Sequence, residues 1–175
     1  MLGNKHFYNR TIRKVVVAFG TLFNDIKLVR YNKAGTVAYE EFKVPLSYGA
    51  KEKYLTRITS DPNLTKSVNT VVPRISFDLT GMTYDSGRKQ VTTIRNFAAN
   101  TSSGINTQYV PVPYDFTFSL SLYVRNTQHG TQLLEHLLPF FPPDFTVPVA
   151  FVPSLLHPYH LPLLLNSVTP SPDYE

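Results

Sequence analysis

Residues 114–125 alternate without interruption between apolar and polar side chains, and this pattern constrains the fold more than any other feature of the sequence. The apolar set comprises Tyr114, Phe116, Phe118, Leu120, Leu122 and Val124. The polar set comprises Asp115, Thr117, Ser119, Ser121, Tyr123 and Arg125. Successive side chains of a β-strand point to opposite faces, so the pattern predicts a long strand with one face in the core.

A helix is predicted directly after this strand. Asn126 and Thr127 provide a cap, and leucines follow at helical spacing between 128 and 138. They are Leu133, Leu134, Leu137 and Leu138, and we expect Phe116, Phe118, Leu120 and Leu122 to pack beneath them. Pro139 ends the helix, because the residue before a proline is pushed out of the helical region. His129 and His136 fall on the polar side, where we expect solvated side chains.

A second helix is predicted near the N-terminus. Apolar residues recur every three or four positions between Ile12 and Ile26, which is typical of an amphipathic helix, here capped near Asn9 and ending near 24. Arg10, Arg13 and Lys14 lie together opposite the apolar stripe. We interpret them as a solvated face, with a nucleic-acid patch as the alternative.

Strands are predicted at 26–31, 36–48 and 71–85, and a short helix at 51–58. Pro45 indicates an edge position or a strand end, since proline cannot donate to a ladder. The adjacent Glu40 and Glu41 indicate a bulge or a polar edge. Together these elements predict one α+β domain over 1–175, with a mostly antiparallel twisted sheet flanked by the N-terminal helix and the helix after strand 114–125.

The segment 86–107 breaks this pattern. Glycine, asparagine, serine and threonine dominate it, and Arg88, Lys89 and Arg95 are set among them. A stretch of this length without a clear period is a functional arm or a mobile loop. Val91 and Ile94 leave a small hairpin open as well.

The sequence argues against an enzyme. It contains no cysteine, no phosphate-binding loop and no nucleophile elbow. His157 and His160 have a spacing found in metal sites, but Pro158 disfavours a shared helical face, and we expect no metal and no cofactor. The uncharged stretch 145–172 is interrupted by prolines every four or five residues, so we expect buried strand and loop rather than a membrane span.

A net charge of +5 and 11 tyrosines leave one alternative open, a module that binds single-stranded nucleic acid. Exposed Tyr39, Tyr84 and Tyr123 would stack on bases, and Arg88 and Lys89 would contact phosphates.

An ordered set of short segments resembles one known family. The segments are Phe7-Tyr8-Asn9 with Arg13, Gly20-Thr-Leu-Phe23, Ile26-Lys-Leu-Val-Arg30, Val44-Pro-Leu-Ser-Tyr48 with Lys51-Glu52, Pro73-Arg74-Ile75, Gln108-Tyr109 with Pro111 and Pro113, Leu120-Ser-Leu-Tyr-Val-Arg125, and Leu138-Pro-Phe-Phe141-Pro-Pro-Asp-Phe145. In this order they resemble the tail sheath stabiliser and completion (tail terminator) proteins of T4-like contractile-tailed phages. The family pattern continues past Asp173-Tyr174-Glu175, so this chain is expected to be shorter than that pattern.

The resemblance implies a structural virion protein at the tail–neck junction, assembled in the host cytoplasm. It implies a homohexameric ring that contacts the tail sheath, the tube or its terminator, and the neck or head-completion proteins. DNA would pass through the ring without being recognised. A ring needs two complementary patches per subunit. The candidate interface residues are Arg10, Arg13, Lys14, Tyr84, Arg88, Lys89, Arg95, Tyr109, Phe141 and Phe145.

Overall fold

The computed structural model describes residues 6, 8–32, 37–49, 72–100, 104–141, 144–151 and 158–170. In chain order the elements are α1 (Thr11–Leu22), β1 (Lys27–Tyr31), β2 (Ala38–Lys43), β3 (Leu46–Tyr48), β4 (Arg74–Tyr84), β5 (Arg95–Asn100), β6 (Gly104–Tyr109), β7 (Tyr114–Tyr123), α2 (Thr127–Leu137), a 3-10 helix (Leu138–Phe140), β8 (Phe145–Val149) and β9 (Tyr159–Leu163). The helix predicted at 51–58 and His157 lie outside the described residues.

The strands pair mainly with their neighbours in the chain. The described residues form a three-stranded sheet in the order β3-β4-β7 and the two-stranded sheets β1-β2, β5-β6 and β8-β9. All of these pairs are antiparallel except β3 with β4, which run parallel. The predicted α+β fold with mostly antiparallel pairing is therefore confirmed.

The long strand predicted from the alternating pattern is β7. It pairs with β4 from Arg74 opposite Tyr123 to Tyr84 opposite Tyr114, with a bulge between Leu79 and Gly81. The apolar positions 116, 118, 120 and 122 are partly buried, whereas the polar positions 115, 117 and 119 are exposed. Tyr114 is exposed, and Ser121 and Tyr123 are partly buried, so the predicted faces are correct for residues 115–120.

Pro45 ends a strand, which is one of the two outcomes that its position allowed. The segment predicted as one strand over 36–48 divides at Val44 and Pro45 into β2 and β3. β2 pairs with β1, and the register shifts between Arg30 and Tyr31. Glu40 and Glu41 themselves stay in register, and the irregularity falls beside them at Tyr39. Glu40 pairs with Arg30 at 2.7 Å and Glu41 with Lys27 at 2.9 Å, so the two glutamates belong to a polar surface of this hairpin.

The core lies where α1, the β1–β2 hairpin, the β3-β4-β7 sheet and α2 meet. Its buried members are Phe23, Ile26, Leu28, Val44, Ile75, Leu133 and Leu137. Partly buried Phe19, Leu22, Phe42, Leu46, Leu120, Leu122, Val124 and Phe141 pack against them. These residues lie between positions 19 and 141, so α1, the β1–β2 hairpin, the β3-β4-β7 sheet and α2 bury one common core.

The predicted N-terminal helix is present as α1, but its predicted cap at Asn9 is wrong. Arg10 precedes the helix with a left-handed φ of 56°, and no side chain caps the helix. The apolar stripe of α1 faces β4 and β7. There the Phe19 ring stacks on Phe118, with centroids 4.2 Å apart and planes 8° from parallel.

Phe118 therefore packs against α1. The sequence pattern had led us to expect it beneath the leucine helix α2, so that expectation is wrong. A ten-residue strand is about 33 Å long, so β7 contacts different helices along its length. Leu120, Leu122 and Val124, further along the strand, reach the core cluster that contains Leu133.

His129 is buried, which corrects the expectation of a solvated side chain. Its ring lies edge-on to Phe42, with centroids 5.8 Å apart. His129, Leu133 and Leu137 follow one another at intervals of four, and residues four apart share a helix face. The buried face of α2 therefore begins one turn earlier than the leucines alone indicated. His136 is exposed as expected.

The proline-rich stretch after 144 forms the β8–β9 hairpin, which confirms strands there. Their side chains alternate between partly buried and exposed, and Val149 alone among these ten is buried, so the predicted burial was too deep. No helix in the described part of the chain is long and apolar enough to cross a membrane.

The stacked pair of Phe19 and Phe118 yields a stability prediction. A fully buried phenylalanine costs about 3–5 kcal/mol when truncated to alanine. Phe118 is only partly buried, so we expect Phe118→Ala to lower the free energy of unfolding by about 2–3 kcal/mol. Ser119→Ala, on the exposed face, should change it by less than about 0.5 kcal/mol. Urea unfolding measures both, and equal effects would contradict the assigned faces.

Gly20 marks the closest approach of α1 to β4, and it yields a second prediction. A Cβ at this position would lie 2.7 Å from Cζ of the buried Phe77 ring. Overpacking costs about 1–3 kcal/mol, and alanine recovers about 1 kcal/mol of helix propensity. We expect Gly20→Ala to destabilise the fold by about 1–2 kcal/mol, with partial recovery when Phe77→Leu is added. Val17→Ala, on the exposed side of α1, is the matched control in urea unfolding.

Candidate protein interface

The β5–β6 hairpin is nested at the far end of the β4–β7 pair. That pair ends with Tyr84 opposite Tyr114, and the next bond beyond it joins the Asp85 amide to the Pro113 carbonyl at 3.2 Å. The Val110 amide then donates to the Ile94 carbonyl at 3.3 Å, directly below the hairpin. The polar segment 86–107 thus contains a turn followed by most of an antiparallel hairpin. The sequence left a small hairpin open at Val91 and Ile94, and the observed hairpin begins just after these residues.

The two faces of this hairpin differ sharply in composition. Directly paired residues share a face, and the register places Arg95, Phe97, Ile105, Thr107 and Tyr109 together. Phe97 is 63% exposed, Ile105 70% and Tyr109 62%. Arg95 lies over the Tyr109 ring, 4.9 Å from its centroid, and its Nη2 donates to the Tyr109 hydroxyl at 3.1 Å. We call Arg95, Phe97, Ile105 and Tyr109 the hairpin face.

The opposite face of the hairpin is polar and is directed towards the rest of the domain. Asn96 is paired with Gln108, and the Asn96 side-chain amide donates to the Tyr159 hydroxyl of β9 at 3.5 Å. Gln108 is partly buried, and its Oε1 has no hydrogen-bond partner. The hairpin therefore directs the amides of Asn96 and Gln108 towards the rest of the domain and its large apolar side chains outwards, the reverse of the usual arrangement on a protein surface.

Arg88 holds the turn at the base of the hairpin. Its guanidinium pairs with the Asp85 carboxylate through Nε and with the Asp115 carboxylate of β7 through Nη2. The hydrogen bond from Arg88, together with one from the Gly87 amide at 2.8 Å, lowers the pKa of Asp85. The two carboxylates raise the pKa of Arg88. The charge of Arg88 is thus paired within its own chain, whereas the side chain of Lys89 next to it is exposed.

The basic cluster predicted on α1 lies beside β8. Lys14 Nζ donates to the carbonyl oxygens of Ala150 and Phe151 just after that strand, so Lys14 ties the N-terminal helix to the C-terminal hairpin. Arg10 and Arg13 are exposed and line a shallow recess that Pro148 and Val149 share. These two arginines remain candidates for contact with a partner.

Phe141 and Phe145 are partly buried, and their rings lie edge to face with centroids 6.4 Å apart. Phe141 packs against the core cluster. Both rings thus pack within the domain, and their use in an interface stays a prediction.

The structure brings together only some of the predicted residues. Tyr84 meets Tyr114 edge to face at 5.6 Å near the Arg88 turn, while Arg95 and Tyr109 lie on the hairpin. The α1 cluster belongs to another part of the fold. Of the tyrosines considered for base stacking, Tyr39 lies on β2 and Tyr123 is partly buried. They do not form one platform with Tyr84.

Comparison with known proteins assigns the chain to a family. The sequence model described as the T4-like virus Myoviridae tail sheath stabiliser matches residues 6–175. The chain belongs to this family. It is also 29% identical over 146 residues to the tail completion protein gp15 of Enterobacteria phage T4. That match covers 80% of this chain and 52% of the relative, so the chain spans about half the length of the curated protein.

The family is one of structural proteins of the bacteriophage tail and is not a class of enzymes. Within the described residues, no group of three or more histidine, aspartate or glutamate side chains is placed to hold a metal ion. The interface of a structural protein is therefore the site whose chemistry matters here.

Sequence reasoning missed Phe97 and Ile105, which dominate the exposed side of the β5–β6 hairpin. Each is a single apolar residue among asparagine, alanine, serine and threonine, so no window shows a clear period. The signal was their position on partner strands, which becomes visible only once the pairing of β5 with β6 is known.

The turn at Arg88 predicts that the local structure responds to pH. Since Asp85 has a lowered pKa in the fold, its link to Arg88 is fully formed above the ordinary aspartate pKa of about 3.9 and is lost as the pH falls through the lower folded value. The Gly87 amide, which donates to Asp85, should report this titration by NMR. Arg88→Ala should move the midpoint upwards, and Lys89→Ala should leave it in place. A midpoint unchanged by Arg88→Ala would refute this coupling.

Proposed function

We propose that this protein forms a homohexameric ring that closes and stabilises the head-proximal end of a contractile tail. In this role it caps the last ring of the sheath and the tube or its terminator, and presents a surface to the neck or head-completion proteins. The virion tail–neck junction is then its place of action, after assembly in the host cytoplasm. Family membership supports the tail role, and the exposed hairpin face supports the subunit contact.

The observation that carries the proposal is the outward apolar face of the β5–β6 hairpin. Three large side chains there are each more than 60% exposed, on an element that projects from the end of the β4–β7 pair. Exposed apolar side chains grouped on one face mark protein contacts more often than solvated surface. A ring closes when every subunit uses two different patches related by rotation, and the hairpin face supplies one of them.

The proposed role requires neither catalysis nor a cofactor, because capping a polymer depends on shape and charge. The exposed Arg10 and Arg13 near β8 form a second basic surface that suits contact with tail or neck proteins. DNA passes through the ring without base recognition, which is consistent with a modest net charge of +5.

Removal of the hairpin tests this function. In the variant, a two-residue Asn-Gly turn replaces Arg95–Tyr109 between Ile94 and Val110, which the Val110-to-Ile94 bond already holds together. We expect the intact protein to have a mass six times that of the 19.8 kDa chain and to bind the end of polymerised sheath protein. The variant should keep its thermal midpoint within a few degrees and lose the ring. Light scattering with and without sheath protein measures the mass of each protein and its binding to sheath, and thermal unfolding measures the midpoint.

A nucleic-acid-binding function would give a different outcome in the same experiment. Each phosphate contact steepens the salt dependence of binding. If the isolated protein bound single-stranded DNA below micromolar concentration, and Lys89→Ala with Arg95→Ala flattened the salt dependence while the oligomer survived hairpin removal, the ring proposal would be replaced by that function.

A further inference from the structure

The exposed acidic side chains of the described residues are mostly neutralised within the chain. Asp25 pairs with Lys43, Glu40 with Arg30, Glu41 with Lys27, and both Asp85 and Asp115 with Arg88. Glu135 and Asp144 are exposed and have no such partner within the part of the chain that the structure describes. Apart from the half-buried Asp78 of β4, the unpaired carboxylates of the described residues therefore lie in one short stretch, where the chain leaves α2.

Exposed apolar side chains accompany these carboxylates. Leu138 is 42% exposed and Phe140 56%, and both lie in the 3-10 helix that follows α2. Glu135 and Leu138 are three residues apart across the end of the helix and so lie on neighbouring positions of its surface. We call Glu135, Leu138, Phe140 and Asp144 the α2 exit.

The hairpin face has the complementary character. It combines Phe97, Ile105 and Tyr109 with the cation of Arg95, and Lys89 lies exposed in the turn below. Between Asp85 and Asp115 the sequence contains no acidic residue. One surface is thus apolar with positive charge, and the other is apolar with negative charge.

We infer that the hairpin face of one subunit docks on the α2 exit of a second copy of this chain. The inference rests on the proposed ring and names the two patches that close it. The polar side of the hairpin faces β9 of its own chain, so its apolar side is presented away from that chain. The two patches are different surfaces of one chain, so the contact can repeat head-to-tail around a ring.

The chemistry of this contact follows that of other protein interfaces. Phe97, Ile105 and Phe140 form the apolar centre, which supplies affinity when water is excluded. Arg95 of one copy and Glu135 of the other lie beside this centre. Their opposite charges orient the two subunits as they meet and fix the register of the contact. A second copy is the occupant that these observations favour, because each surface complements the other on the same sequence.

Two double variants test the docking, each confined to exposed side chains. The hairpin variant carries Phe97→Asp and Ile105→Asp, and the exit variant carries Leu138→Asp and Phe140→Asp. We expect each alone to be monomeric at concentrations where the intact chain forms its oligomer, with an unchanged thermal midpoint. A control variant with Val17→Asp and Tyr39→Asp, matched in exposure at 58% and 65%, should keep the intact mass.

Mixing the two double variants gives the decisive result. The exit variant retains an intact hairpin face and the hairpin variant retains an intact α2 exit, so one contact can form. We expect a dimer containing one copy of each and no larger species, which mass photometry detects. Charge reversal by Glu135→Lys should raise the dissociation constant about two- to fivefold, the range for an exposed ion pair, and Arg95→Glu in the same chain should restore part of it.

Several outcomes would overturn the inference. If the exit variant kept the intact mass while the hairpin variant did not, the hairpin would dock elsewhere and the ring would stand. If the mixture remained monomeric, the two patches would not be partners. If both variants kept the intact mass, neither patch would belong to the ring. An intact chain that stayed monomeric even with sheath protein would instead refute the proposed ring, and this contact with it.

Discussion

The antiparallel ladder between β4 and β7 is the constraint on which the rest of the structure depends. At one end it lies in the core, where Ile75 is fully buried, and at the other it ends in solvent at Tyr84 and Tyr114. Both helices are placed by it, since α1 packs on Phe118 and α2 follows directly from the end of β7. A one-residue slip would turn every apolar side chain of β7 to the opposite face, so the alternation fixes the register as well as the strand.

The two ends of the same ladder serve different purposes: the end near Arg74 stabilises the fold, and the end beyond Tyr84 carries a surface for interaction. Side chains near Arg74 pack under α1 and α2, and substitutions there act on the free energy of unfolding. Beyond Tyr84 the chain makes a turn held by Arg88 and then the β5–β6 hairpin, whose contacts with the body are few and polar. A surface placed in this way can vary without disturbing the core, which suits an element whose role is to recognise a partner.

Local periodicity explains what the sequence predicted, and long-range packing explains what it did not. The alternation in 114–125 and the helical spacing near Ile12 are properties of neighbouring residues, so β7 and α1 were found with their faces correct, for β7 over residues 115–120. The contact of Phe118 with α1 rather than α2 depends on how the strand crosses two helices, which no local pattern contains. His129 was misplaced for a more avoidable reason, because its interval of four to Leu133 already marked the buried face. The outward face of the hairpin depends on how β5 pairs with β6, and the Arg88 links depend on β7 lying beside the turn that follows β4.

The link between Lys14 and the carbonyl groups of Ala150 and Phe151 has a kinetic consequence. It joins residues 136 and 137 positions apart, so it forms only after nearly all of the domain has left the ribosome. Closing so long a loop costs little additional free energy, because the entropy of closure grows only with the logarithm of its length, but contacts distant in sequence slow folding. The β4–β7 ladder and α2 are complete earlier in synthesis. The surface formed by α1 and β8 therefore matures only after synthesis has passed Phe151, which delays its availability to any partner.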